Sequence, residues 1–365
     1  MRKSLWFWIS VSFVIILSAA LGRVNDFNFA LWSVDYSFGF VRRGLFGELI
    51  GWFFVPPYSP EILSHLFVFF FLGFGLLSAW YFWKSPSVSK LTAFVILCGG
   101  FYLQQFGYDQ GKFDIFLLSL FIISIIVVDK CCGLKRVLTL LSITTLALTM
   151  HEGAALLLVP GTIALLFTQQ EESRQKYKTI AMYWITSVVI FAVIYVAGSS
   201  DLTPAERYDY ASGLMPFLTA DNDVFNIAGR TLAENMSWAL GRFSEPKTMS
   251  RMLLNFVAVF PYIVLLSLMI RALWRTSKES VIGLALIIAS VIPMYFLGID
   301  FYRWNAFLFT LSFIFVVYAG SLHKVEYIVP LPLLTIALVF ALWSGPLGVS
   351  TALPQRGFLF GLLSL

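Results

Sequence analysis

Hydrophobic and polar positions along this chain fall into long blocks rather than into the short periods of a soluble helix or strand. Apolar runs near the ~20 residues that cross a bilayer as a helix occupy 5–22, 62–83, 91–107, 114–129, 136–150, 153–168, 178–198, 252–271, 280–298, 304–321 and 327–344. Short charged segments separate them. The pattern predicts an all-α polytopic membrane protein with about eleven transmembrane helices, forming a single transmembrane domain over residues 1–365. The first run follows Arg2-Lys3 and ends at Ser18-Ala19-Ala20, a layout shared with cleaved signal peptides. Its length and its Trp and Phe content fit an uncleaved first span better.

Loop charge sets an expected orientation. With the N-terminus in the cytoplasm, more than half of the 25 basic residues, among them Lys84, Lys90, Lys130, Lys135, Arg136, Lys176 and Lys278, fall in short inner loops, and most of the 20 acidic residues fall outside. The outer side then holds the long polar segments: a first loop over residues 22–60, which is expected to carry interfacial helices, and a second over 199–251. A bacterial-type inner (cytoplasmic) membrane with the functional face periplasmic or extracellular is the expected location. Polar residues in a membrane protein concentrate where it works.

Composition narrows the class. Hydrophobic residues make up 59% and charged residues 12% of the chain, which excludes soluble, disordered and fibrous proteins. The net charge of +5 is accounted for by topology, and with no basic soluble domain nucleic acid is not an expected partner. The cysteines, Cys98 and the adjacent Cys131 and Cys132, have neither disulfide nor zinc spacing.

Chemistry-bearing residues gather in the outer segments. The first loop contains Asp26, Asp35, Arg42, Arg43, Gly44, Gly47 and Glu48 among many aromatics. Arginine offers a planar fork for phosphate and glycine permits close backbone approach, so this loop is a candidate for an anionic head group, with an Asp as general base. Two outer junctions share the form G-x-D-x-x-[KR]-x-[DN]-x-F: Gly107-Tyr-Asp109-Gln-Gly-Lys112-Phe-Asp114-Ile-Phe116 and Gly298-Ile-Asp300-Phe-Tyr-Arg303-Trp-Asn305-Ala-Phe307. Locally, each Asp can cap a helix and pair with the base three residues on; alternatively these charges converge on a substrate, with Arg303 as phosphate ligand. The match also suggests a duplicated helix pair. His151-Glu152 at an outer turn is a candidate acid/base or sugar-binding element as well as a candidate structural turn. A metal site would need H-E-x-x-H or three clustered ligands, and no nucleotide or dinucleotide fingerprint is present, so neither metal nor cofactor is expected.

This layout resembles the GT-C class of integral membrane glycosyltransferases and, more loosely, the O-antigen and exopolysaccharide polymerases. The resemblance rests on the helix layout and on Asp26, Asp35, Arg42 and Arg43 in the first outer loop. It implies transfer of a sugar from a polyprenyl (pyro)phosphate-linked donor to a glycan or lipid-linked acceptor at the outer face, in cell-envelope polysaccharide assembly. It implies Asp26 or Asp35 as base, Arg42, Arg43 and Arg303 as ligands of the donor phosphate, and His151, Glu152, Asp109 and Asp300 as sugar-positioning groups; Lys112 of the first motif copy is a further candidate substrate-binding residue. Two alternatives stay open at this point: a transporter or flippase of a lipid-linked or anionic solute, and a non-catalytic membrane scaffold subunit.

Overall fold

The computed structural model describes residues 2–20, 22, 26–37, 43–198, 202–220, 222, 224–225, 232–243, 245–297 and 300–347. Its elements are helices: α1 (Arg2–Ala20), α2 (Asp26–Leu31), α3 (Leu45–Phe53), α4 (Pro60–Lys84), α5 (Lys90–Leu97), α6 (Leu103–Tyr108), α7 (Asp114–Lys130), α8 (Gly133–Met150), α9 (Ala154–Thr168), α10 (Ser173–Ala197), α11 (Pro204–Leu214), α12 (Leu232–Phe243), α13 (Pro246–Trp274), α14 (Lys278–Val291), α15 (Met294–Leu297), α16 (Phe301–Leu322) and α17 (Leu331–Ser344). There is no strand among the described residues, only an isolated bridge between Val88 and Tyr327.

Among the described residues six helices or helix pairs are long and apolar enough to cross a membrane: α4, α8, α10, the Asn255–Trp274 part of α13, Lys278–Phe296 and α16. Shorter apolar helices cover Ser4–Ala20, Ala154–Thr168 and Leu331–Ser344. Burial ranks them. The apolar window of α16 is 83% buried and that of α10 only 17%, so α16 is the central post and α10 a peripheral helix. The exposed face of α10, with Trp184, Val188, Val189 and Val193, is an apolar surface that water does not tolerate and lipid does.

Several helix starts follow from local chemistry. Ser59 accepts from the Ile62 N–H at 3.2 Å, Ser89 from Thr92 at 3.1 Å and Ser277 from Ser280 at 3.2 Å, each satisfying an orphan donor of the first turn. Thr203 and Glu206 form a capping box at α11. Of the prolines that could interrupt spans, Pro160 and Pro261 lie inside continuous helices, whereas Pro293 marks the break between α14 and α15.

One predicted span differs in kind. The run 91–107 is not one helix: α5 ends at Leu97 and α6 begins at Leu103. At the break a Cβ on Gly100 would stand 2.2 Å from the Gly345 carbonyl oxygen, so the chain unwinds where two backbones touch. The polar groups this exposes are satisfied inside the bundle, as an apolar medium requires. Gln104 Nε2 donates to Cys98 O at 2.6 Å and to Ala341 O at 3.0 Å. Thr310 Oγ1 reaches Phe101 O at 3.3 Å. The predicted span 327–344 begins later, at Leu331, because residues near Tyr327 run extended beside Ser87, whose carbonyl accepts from the Tyr327 N–H at 2.8 Å.

One end of the bundle carries a cap with its own aromatic core. Helices α2 and α3 and the segment after α11 bury Phe29, Trp32, Phe46, Met215 and Phe225 against Phe67 of α4 and against Phe113. Trp32 is 1% exposed, lies 4.7 Å from the Phe46 ring and 4.8 Å from that of Phe67, and donates its indole N–H to Gly111 O at 2.6 Å. Burial of a large aromatic with its one donor satisfied is a strong anchor. Trp52, Phe53 and Val55 at the far end of α3 are exposed, which leaves that tip with an open apolar surface.

Candidate functional site

Three connections meet beneath the cap: the loop leading into α3, the α6–α7 connection with the first motif copy, and the start of α16 with the second. The α8–α9 turn joins them. Within each copy the Asp and the base pair locally: Lys112 Nζ lies 3.5 Å from Asp109 Oδ2, and Arg303 Nη1 lies 3.3 Å from Asp300 Oδ2. The copies also exchange partners. Lys112 Nζ donates to Asp300 Oδ2 at 3.2 Å, and Arg303 forks onto Asp114 through Nε and Nη2, the latter at 3.0 Å. Asp109, Lys112, Asp114, Asp300 and Arg303 are all buried.

The helix-capping role expected of these Asp residues is not what the structure has. Asp300 is the residue before α16 but makes no side-chain cap bond, and Asp109 follows α6 instead of preceding α7. The cause is competition: Lys112 and Arg303 offer these carboxylates charged donors, which outbid a backbone N–H. Position eight of the motif also splits. Asp114 takes Arg303, while its counterpart Asn305 donates to Asn255 Oδ1 at 2.6 Å and accepts from Tyr295.

Arg43 and the α8–α9 turn form the adjoining part. Arg43 has φ 68°, a left-handed conformation that costs a non-glycine residue on the order of 1 kcal/mol or more and clusters at functional sites. Its guanidinium grips Glu152 through Nε, at 2.7 Å, and through Nη2. Each of the two side chains keeps 28% of its surface exposed. Burial alone would raise the Glu152 carboxyl, but the Arg43 guanidinium overrides it and holds the group well below the usual carboxylate range. His151 Nδ1 accepts the Gly153 N–H at 2.8 Å. Burial, reinforced by the Arg43 and Arg303 charges, lowers the imidazole to about 4, so His151 is neutral near pH 7 and presents Nε2 as its N–H.

The two candidate bases are placed differently. Asp26 is exposed, in the first turn of α2. Asp35 sits where the first loop meets α11: Oδ1 accepts the Ser37 N–H at 3.0 Å and Oδ2 accepts the Tyr210 hydroxyl. Tyr210 OH also lies 2.7 Å from Ser37 Oγ. Burial and the Asp35 bond push the Tyr210 phenol up to about 12, which keeps it a donor. Tyr58 feels both Asp35 and Glu48, and Glu48 accepts from Trp52 Nε1 at 3.1 Å. This seam of two carboxylates with Tyr36, Tyr58, Tyr210 and Trp52 is half-open. Arg42 lies outside the described residues.

Helix α3 ties the seam to the buried cluster. Gly47 packs directly on the Val34–Asp35 backbone: a Cβ there would stand 2.1 Å from Val34 O and 3.1 Å from Asp35 Cβ. Arg43 lies in the turn just before α3, four residues ahead of Gly47 in the chain. Gly47→Ala is expected to lift α3 off this contact at about 1–3 kcal/mol, read as faster amide exchange across 26–37 with α16 unchanged.

Below Glu152, α9 faces a groove of about 170 Å³ lined by Ala155, Val159, Pro160, Trp184 and Phe191 among others. Ala155, at the start of α9, follows Glu152 by three residues in the chain.

The structure therefore brings Arg43, Lys112, Asp109, Asp300, Arg303, His151 and Glu152 to one end of the bundle, sets Asp35 in the neighbouring seam and leaves Asp26 exposed. Asp114, Asn28 and Tyr210 were not singled out as site residues by sequence. For Asp114 the signal was present: it is the motif position where one copy has an acid and the other an amide. Among the described residues no group of three or more His, Cys, Asp or Glu side chains is arranged to hold a metal ion. No family model, curated protein or solved structure matches the chain.

Proposed function

We propose that this protein is an integral membrane glycosyltransferase that takes its sugar from a polyprenyl (pyro)phosphate donor, with the capped end on the outer face of a cytoplasmic membrane. In this reading α1, α4, α5–α6, α7, α8, α9, α10, α13, α14–α15, α16 and α17 are eleven passes, and the basic inner loops follow the positive-inside bias. The observation that carries it is that the short stretch 43–47 supplies both a partly open, fork-shaped cation, Arg43, and the Gly47 contact that seats the Val34–Asp35 backbone.

The roles follow from what each group already holds. Arg303 is committed to Asp114 and Asp300, and Lys112 to Asp300 and Asp109. A phosphate would have to displace buried carboxylates to reach either. They are positioning residues that brace the floor of the site. Arg43 has a single carboxylate partner and a partly open face, so it is the donor-phosphate ligand, with the His151 Nε2–H beside it. The first isoprenoid units of the donor lie along the groove on α9 in this reading, and the rest of the chain in the bilayer. Asp35 accepts the proton of the acceptor hydroxyl; the acceptor oxygen bonds to the sugar C1 as the C1–O(phosphate) bond breaks, and Arg43 stabilises the charge growing on the departing phosphate. The seam tyrosines and Trp52 hold the acceptor.

Purified protein given a polyprenyl-phosphate sugar and a lipid-linked acceptor is expected to form glycoside, and Asp35→Asn to lower turnover by about 10²–10⁴-fold with Asp26→Asn near wild type. Full turnover in Asp35→Asn would remove the base assigned here.

A second reading, a transporter or flippase of the same lipid-linked anion, is favoured by one observation. Two broken helices, α5–α6 and α14–α15, lead into the paired motif copies, and discontinuous helices are a device of transporters. It is distinguished by movement of intact lipid-linked sugar across liposomes with no new glycosidic bond.

A further inference from the structure

Asp109 and Asp300 hold the same position in the two motif copies but are served unequally. Asp300 Oδ2 accepts from Lys112 at 3.2 Å and from Arg303 at 3.3 Å. Asp109 Oδ2 faces that same Lys112 nitrogen at 3.5 Å and has no hydrogen-bond partner. Its Oδ1 is 3.4 Å from Asn28 Nδ2, whose shorter bond goes to the Gln110 carbonyl. Asp109 is 6% exposed. An ionised carboxylate buried to this degree requires short donors or a cation of its own. Asp109 has only the longer share of Lys112 and a stretched amide contact, a setting that suits a neutral carboxylic acid.

The groups that face it come from every neighbouring element. Lys112 lies in its own connection, Asp114 on α7, Asp300 before α16, Arg303 on α16 and Asn28 on α2. Burial raises the Asp109 carboxyl above its ordinary value, with Asp300 and Asp114 adding to the rise and Lys112 and Arg303 opposing it. Helix α7 and helix α16 are thereby joined through a lysine that two carboxylates share.

We propose that Asp109 is a proton-binding site at the capped end, holding one proton in the resting protein and releasing it to water as Lys112 moves from Asp300 toward Asp109. The proton is the ligand, the Asp109 carboxyl its receptor, and the ion pair between the two motif copies the element that responds. None of this depends on sugar transfer, so the site stands or falls separately from the enzymatic reading.

The test uses the full-length protein in nanodiscs and compares wild type with Asp109→Asn and Asp114→Asn. Infrared difference spectra on raising the pH are expected to show loss of one carboxylic-acid carbonyl band in wild type, and no such band in Asp109→Asn. Thermal stability gives the second readout. A carboxyl raised in the folded state contributes stability that is fully present below its unfolded value, about 4, and is lost as pH rises through the folded value. Wild type is therefore expected to lose stability with rising pH through that window, while Asp109→Asn, which mimics the neutral acid, keeps its fold and shows a flatter profile. Asp114→Asn, which removes the carboxylate that Arg303 forks onto and leaves it only Asp300, is expected to be the less stable variant at every pH. A carbonyl band that persists unchanged in Asp109→Asn overturns the proposal. So does an Asp109→Asn protein that is as destabilised as Asp114→Asn or fails to fold, because a neutral near-isostere would then be replacing a charge the fold needs.

Discussion

Arg303→Ala is expected to destabilise the folded protein by about 3–5 kcal/mol, the cost of leaving buried partner charges uncompensated. Arg303 forks onto Asp114 and contacts Asp300, and its side chain keeps only 10% of its surface exposed. Removing it strands Asp114, and leaves Asp300 only Lys112, at the junction of α7 with α16, the most buried of the spanning helices. The attraction of the pair is not what the protein would lose, since a buried ion pair roughly breaks even against apolar packing. The loss comes from the orphaned Asp114. This separates two explanations of the cluster. If Arg303 braces the site, combining Arg303→Met with Asp114→Leu should recover much of the stability lost by the single change, measured as denaturation midpoint in detergent. If Arg303 served substrate alone, the single variant would be stable and inactive.

Much of the bundle was legible in sequence because hydropathy reports which residues avoid water. Residues 304–321 form a run without a charged residue and lie within α16. Hydropathy cannot report backbone continuity, and the run 91–107 is as apolar at its break as elsewhere. The break depends on Gly100 meeting Gly345, a contact across 245 residues of chain, and on Gln104 being at hand to satisfy the freed carbonyls. The site divides in the same way. The i,i+3 pairs Asp109–Lys112 and Asp300–Arg303 are local and could be read from spacing. The exchanged pairs Lys112–Asp300 and Arg303–Asp114 join positions 188 and 189 residues apart, and no spacing rule reaches them. Tyr210 on Asp35 is a case of the same kind, at 175 residues. The long outer segment over 199–251 was visible, but its meeting with the first loop was not.

Arg43→Ala is expected to behave in the opposite way to Arg303→Ala. Its Glu152 partner is 28% exposed and can recover water, so the stability cost is about 1 kcal/mol, in the range of solvent-accessible pairs. Sugar transfer, in contrast, should fall by about 10²–10³-fold, the loss seen when a preorganised donor to a developing anion is removed. Arg43→Lys keeps the charge but not the planar fork and is expected to fall between. A stable, inactive Arg43→Ala beside an unstable Arg303→Ala assigns donor binding to the first loop and bracing to the motif copies.

The most direct measurement is photo-crosslinking of the purified protein with a polyprenyl phosphate that carries a photoreactive group next to its phosphate, followed by mapping of the labelled residues. Labelling is expected around Arg43, His151 and Glu152 and along Ala155 and Val159, competed by unlabelled polyprenyl phosphate and lost in Arg43→Ala. Labelling spread over the exposed face of α10, uncompeted and indifferent to Arg43→Ala, would contradict a lipid-phosphate site at the capped end.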